Sequence, residues 1–191
     1  ESLRALAATD GVAGEFERMD AEELRFADDT FDVALCALGL MYVPDPPRAL
    51  AELRRVLRPR GRVVAAVWGA RANCGWADIF PIVERRVASD VCPMFFQLGT
   101  GSALALHMEL AGFTDIVEQR IATMLHYGSA ADAIGAAFAG GPVALAYSRF
   151  DEATRDGAHA EYLASIEAYR HGESYEIPGE FVVARGLRPA G

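Results

Sequence analysis

The hydrophobic pattern of the chain changes period several times, and those changes outline its elements. Leu3, Leu6 and Ala7 recur at helical spacing over Ser2–Thr9, and Asp10-Gly11 supplies a stop, which predicts the tail of a helix. Glu15–Met19 alternates and predicts a short strand ending at Asp20. After the Asp28-Asp29 turn, Phe31–Leu38 (FDVALCAL) is continuously apolar beyond Asp32, as expected of a central parallel strand covered on both faces. Asp45 then offers an N-cap with Pro46 at the first helical position. Ala49, Leu50, Leu53, Val56 and Leu57 form one stripe of a helix that stops near Pro59 and Gly61. Gly61–Trp68 (GRVVAAVW) is a second buried strand. Strand, helix, strand within this span is a βαβ unit, so the sheet is expected to be parallel with a right-handed crossover.

Beyond Trp68 the pattern predicts helices over Ala77–Ala88, Ser102–Ala111, Ala130–Phe138 and Glu152–Tyr169. It predicts a strand over Asp115–Leu125 and two strand pieces around Pro178-Gly179 within Tyr175–Arg185. Neither a repeat nor a low-complexity linker divides the 191 residues, which predicts a single domain over 1–191.

Composition narrows the partners. A net charge of -9 repels phosphate backbones, so nucleic acid is not expected. The densest apolar run, Val33–Val43, is far short of the ~20 residues that span a bilayer, and no membrane association is expected. Cys36, Cys74 and Cys92 are odd in number, irregularly spaced and without a CxxC pair, which argues against a disulfide framework or a zinc site and fits a reducing cytoplasm.

The run from Phe16 to Trp68 contains DAEEL after the first strand, FD opening the next, PD before the helix and VLRPRG turning into the following strand. In this order and spacing it resembles the central block of ubiquinone/menaquinone-biosynthesis-type methyltransferases, a class I S-adenosylmethionine-dependent group. The segment HMELAGFTDIVEQR and the closing YEIPGEFVVARG are similar to that group's sixth and seventh strands. The resemblance implies an α/β, Rossmann-like, doubly wound and mostly parallel sheet with an antiparallel C-terminal strand. Its strand order would be third, second, first, fourth, fifth, seventh, sixth. Glu1 stands where an initiating Met would, and nothing before Asp20 supplies the first strand with its G-x-G-x-G loop. The expected domain is therefore N-terminally truncated.

The same resemblance implies S-adenosylmethionine as cofactor and a small-molecule acceptor. Met19, Asp20 and Ala21 would face the adenine, with the Asp20 carboxylate accepting from its amino group; the alternative, which ranks second, is that Asp20 simply caps a short helix through Leu24. Cys36, Ala37 and Leu38 would lie at the carboxyl end of the central strand, where doubly wound sheets bind ligands. They could equally be plain core. Arg71–Gly101 and Gly128–His171 would roof the acceptor pocket, carrying Trp76, Phe80, Met94, Phe95, Phe96, Phe138 and Tyr147. No catalytic base is assigned. His107, His126, His159 and His171 are the candidates, and His126 beside Tyr127 follows a predicted strand end. Gly99-Thr100-Gly101 before a helix superficially suits a phosphate loop, but a lone G-x-G is weak. Two alternatives stand beside methyl transfer. One is a non-catalytic binding or homodimerisation module of the same fold. The other is a nicotinamide-binding protein, which ranks last for want of a glycine fingerprint in context.

Overall fold

The computed structural model describes residues 2–87 and 95–190. Ala88, Cys92 and Met94, named above, lie outside the described residues. The elements are α1 (Ser2–Thr9), β1 (Phe31–Ala37), α2 (Pro46–Val56), β2 (Leu57–Trp68), α3 (Ile79–Glu84), α4 (Ala103–Leu110), β3 (Thr114–Tyr127), α5 (Ala130–Ile134), α6 (Ala144–Tyr147), α7 (Glu152–Ser165), β4 (Arg170–His171) and β5 (Ser174–Leu187). The sheet runs β1-β2-β5-β3, with β4 pairing β5. β1 and β2 are parallel, and β5 is antiparallel to both β2 and β3. This is the order fourth, fifth, seventh, sixth that the resemblance implies.

α2 starts where the sequence says it should: the Asp45 side chain accepts from the Arg48 N–H at 3.0 Å, with Pro46 next. It ends at Val56, before Pro59, because Arg188 Nη1 donates to the carbonyls of Arg54 at 3.1 Å, Arg55 at 2.9 Å, and Leu57. A cation thus takes up carbonyls that a helix end leaves unpaired. One face of the sheet is closed by α2 and α4, where Leu50, Leu57, Val63, Leu104 and Met108 are fully buried. Each such side chain contributes about 1.5–3 kcal/mol of burial.

Three expectations fail locally. Glu15–Met19 is not a strand; only an isolated bridge joins Asp20 to Glu23. A strand exists through its ladder, and among the described residues this stretch meets no partner strand. Its carbonyls are taken by arginines instead, Phe16 by Arg4 and Arg18 by Arg25. Among the described residues β1 is an edge strand, as follows from the expected order once its first strand is lacking, and Val33 and Leu35 on the side away from α2 and α4 are 44% and 72% exposed. Continuous apolarity cannot distinguish a strand paired on both sides from one whose second side is open.

Finally, β5 is one continuous strand through Pro178-Gly179, not two pieces. The Pro178 carbonyl accepts from the Gly75 N–H at 2.8 Å, on the side opposite β3. The proline's missing N–H lies on that same side, beyond the end of the β2 ladder, so no sheet bond is lost. The helix expected over Ala130–Phe138 is broken in kind, α5 passing into a π-helical turn over Gly135–Ala139.

Arg60, which replaces a glycine of the resembling pattern, has φ +66°, the left-handed region that side chains enter at a cost of about 1 kcal/mol. Its side chain is exposed, and its N–H donates to the Arg188 carbonyl at 2.9 Å, a bond any residue can make. Arg60→Gly should therefore raise the urea midpoint, by up to about 1 kcal/mol once glycine's extra unfolded-state entropy is subtracted. A lowered midpoint would show that the turn carries no strain.

Candidate active site

Three parallel strands bring their carboxyl ends together: β1 at Leu38, β2 at Trp68 and β3 at Leu125–Tyr127. A cavity of ≈ 250 Å³ lies across them, walled by Leu38, Met41, Tyr42, Trp68, Trp76, Leu125, Tyr127, Ala136, Ala137, Gly140, Gly141, Pro142 and Tyr162. Trp68 stacks on Phe181 at 4.3 Å between ring centroids and meets Trp76 edge-on at 5.0 Å. Burial raises the phenols of Tyr42 and Tyr127. It raises Tyr162 further, with nearby Tyr127 adding to the effect. All three are neutral hydroxyls at physiological pH. The Trp76 indole N–H is buried without an acceptor among the described residues.

A partly buried polar clasp fixes this end of the sheet. Glu180 of β5 accepts from Arg120 Nη2 at 2.7 Å and Nε at 3.2 Å, from Asn73 Nδ2 at 3.0 Å and from the Ala70 N–H at 3.2 Å. Arg120 also donates to the Gly99 and Gly101 carbonyls at 2.7 and 2.6 Å. The Gly99-Thr100-Gly101 turn is thus held by its carbonyls and is no anion cradle. Its glycines have local reasons: a Cβ on Gly99 would sit 1.9 Å from the Trp68 carbonyl oxygen, and Gly101 has φ +57°.

The expected site residues fall into two groups. Cys36, Ala37 and Leu38 end β1, and Leu38 alone of the six reaches the cavity wall. Leu38 has φ +59°, an unusual conformation for a leucine of the kind concentrated at ligand sites. Burial pushes the Cys36 thiol up, against the N–H groups of Gly39 and Leu40 directed at its sulfur. Met19, Asp20 and Ala21 sit on the loop before β1. There Asp20 Oδ1 accepts from the Glu22 N–H at 2.9 Å, which closes a turn where no helix forms, and the other oxygen has no partner among the described residues.

Glu22 ties the loop of Met19, Asp20 and Ala21 to the segment after β1 and not to Cys36, Ala37 or Leu38 themselves. Its carboxylate accepts from the Asp45 N–H at 2.8 Å, and its carbonyl accepts from Arg48 Nε at 3.0 Å. Further along the loop, Glu52 accepts from the Leu24 N–H at 2.8 Å, while Arg55 donates to the Leu24 and Phe26 carbonyls, each at 2.8 Å. Arg55 holds the Glu52 carboxyl below its ordinary range, with the Leu24 N–H assisting.

Of the roofing aromatics expected from the sequence, Trp76 reaches the cavity. Phe80, Phe95, Phe96 and Phe138 are core, and the Tyr147 hydroxyl is 2.9 Å from His159 Nε2. The four histidines stand outside the wall. His126 faces Glu176 at 3.6 Å on the strand's other face, and His171 lies 4.0 Å from the same carboxylate. Tyr42, Trp68, Tyr127 and Tyr162 were missed as site residues. Tyr127 had a signal, since it ends a strand beside the flagged His126; Tyr162 looked like any apolar position of α7.

A mixed sheet in this order, with its cavity at the carboxyl ends of the parallel strands, defines the class I S-adenosylmethionine-dependent methyltransferase fold. A Bacillus halodurans protein whose crystal structure is described as a candidate methyltransferase superposes with a TM-score of 0.61 at 18% identity. The match covers 97% of this chain and 77% of that one. The [4+2]-cyclase SpnF shares the fold too, with a TM-score of 0.52 at 19% identity over 98% of this chain and 61% of that one, so the fold does not by itself fix the reaction.

Residues 1–65 match the family described as a methyltransferase domain. The Clavibacter sepedonicus demethylmenaquinone methyltransferase is 48% identical over 61 residues, 32% of this chain and 24% of that enzyme. The chain thus carries the ubiquinone/menaquinone-biosynthesis-type pattern in its first third and the class I fold along its described length. The matched stretch spans about a quarter of that relative.

Arg120 first, then Asn73 and the Ala70 N–H, pull the Glu180 carboxyl down to about 2. A folded-state value below the unfolded one, near 4.3, gives stability that is present above pH ~4.3 and lost as pH falls towards 2. Glu180→Gln should lower stability at pH 7 by about 1–3 kcal/mol and flatten the wild-type decline between pH ~4.3 and 2. Melting curves across that window test it. Parallel acid limbs in the two proteins would mean that the clasp does not drive acid unfolding.

Proposed function

We propose that the chain serves S-adenosylmethionine-dependent methyl transfer to a small-molecule acceptor held in the ≈ 250 Å³ cavity. The observation that carries this is the position of the cavity across the carboxyl ends of β1, β2 and β3, where open α/β sheets take their ligands. The cofactor's residues fit on two counts. Asp20 keeps one carboxylate oxygen free for an amine donor, and β1 ends in small residues, Cys36 and Ala37, before the strained Leu38. Bound there, S-adenosylmethionine supplies a methyl group already activated on a sulfonium.

The protein's share is proximity, alignment and exclusion of water. Leu38 belongs to both regions, being the last of the cofactor-side residues and part of the cavity wall. Glu22 ties the adenine-side turn to the segment that follows β1. No helix of the described residues is long and apolar enough to cross a membrane, which favours an acceptor presented from solution.

Asp20→Asn separates the two roles of Asp20. The amide oxygen can still accept from the Glu22 N–H, while the second oxygen becomes an N–H₂ that opposes the adenine amine. The melting temperature should hold, and S-adenosylhomocysteine binding by calorimetry should weaken by about 1–3 kcal/mol. Unchanged affinity would reject Asp20 as an adenine contact.

The open edge of β1 favours a second reading, self-association of the chain. Unpaired strand N–H and C=O groups beside exposed Val33 and Leu35 recruit another strand. Sedimentation should show a dimer that Leu35→Glu dissociates. A wild-type monomer at high concentration would end this reading.

A further inference from the structure

Resting on the acceptor-site reading, we propose that the cavity takes an uncharged, largely apolar acceptor bearing an oxygen function, and that the Tyr162 hydroxyl is the hydrogen-bond partner that positions this oxygen. Tyr162 is 1% exposed, lines the cavity from α7, and its hydroxyl makes no hydrogen bond to another described residue. A buried phenol normally finds a partner, so one without any, beside a space large enough for a ligand, is a recognition group awaiting its acceptor. The Trp76 indole N–H, also buried without an acceptor, is a second unspent donor in the same wall.

The charge state follows from the rest of the lining. Among the described residues no charged side chain contributes to the wall, so a carboxylate or phosphate would shed its water without gaining a cation. The chain's net charge of -9 opposes anions further. Burial keeps Tyr162 neutral, which makes it a donor and not a base. Water can satisfy the Tyr162 hydroxyl when the cavity is empty. An oxygen-bearing ligand replaces that water, whereas a hydrocarbon of the same shape leaves the hydroxyl unpaired.

The chain has two tryptophans, and both line the cavity, so its indole N–H resonances report on this site directly. The experiment titrates four probes, 2-naphthol, naphthalene, 2-naphthoate and 2-naphthylmethyl-trimethylammonium, into the ¹⁵N-labelled chain without cofactor. 2-Naphthol should shift the indole signals and bind at least about tenfold tighter than naphthalene, about 1.4 kcal/mol. Tyr162→Phe should erase that ratio while leaving naphthalene binding unchanged. The proposal is overturned if the naphthoate or the ammonium probe binds as tightly as 2-naphthol, if wild type shows no preference for 2-naphthol over naphthalene, or if Tyr162→Phe keeps it. Should Tyr162→Phe fail to fold, the wild-type ratios alone decide. S-adenosylhomocysteine binding, measured in parallel, judges the methyl-transfer reading independently of this one.

Discussion

The Glu180–Arg120 clasp is the interaction on which the working end of the molecule depends. One carboxylate in β5 holds an arginine of β3 and two groups in the segment after β2. The arginine in turn holds the turn before α4. Four stretches of chain far apart in sequence are thereby fixed within hydrogen-bond distance at the end of the sheet. Glu180 is 13% exposed and Arg120 35%, so the pair sits between a screened surface bridge and a fully desolvated one. At that depth the charge is costly unless every oxygen is used, and here both oxygens are. The clasp and the Trp68–Phe181 stack adjoin in β5, so polar and apolar contacts fix the same end of the sheet.

The parts of the fold legible in the sequence were those set by local rules. Asp45 and Pro46 announced the start of α2, and VVAAVW and FDVALCA could hardly be other than strands. What escaped was decided by neighbours remote in sequence. Whether FDVALCA is a centre or an edge depends on which strands flank it. Whether Glu15–Met19 is a strand depends on whether a ladder partner is within reach. Pro178 sits inside a strand because β2 has already ended beside it, a fact no window around Pro178 contains.

The candidate site was legible to a similar degree. A motif placed Cys36–Leu38 at the ligand end of a strand, and the chain does end β1 there. The cavity wall was harder to see because it draws one to five residues from each of six separate segments, each of which reads as ordinary core on its own. Tyr162 shares α7 with Ala158, and both are buried. Only the packed structure distinguishes the position that faces other side chains from the position that faces a void. The histidines show the converse. They drew attention for their chemistry, yet strand alternation turns His126 outward and its neighbour Tyr127 into the cavity.

That outcome bears on what kind of catalyst the site can be. Among the described residues that line the cavity there is no carboxylate, imidazole or amine, and its phenols are held neutral by burial. Such a wall cannot withdraw a proton from a weakly acidic acceptor at neutral pH. It can exclude water, hold an apolar body against aromatic faces and orient an oxygen through neutral donors. On the proposed reading, the sulfonium supplies the driving force and the acceptor must be nucleophilic as bound. Selectivity then rests on fit and on hydrogen bonds from groups that are costly to leave unpaired, not on proton transfer. The strain at Leu38, where the cofactor side and the acceptor wall share one residue, is consistent with a site whose task is placement.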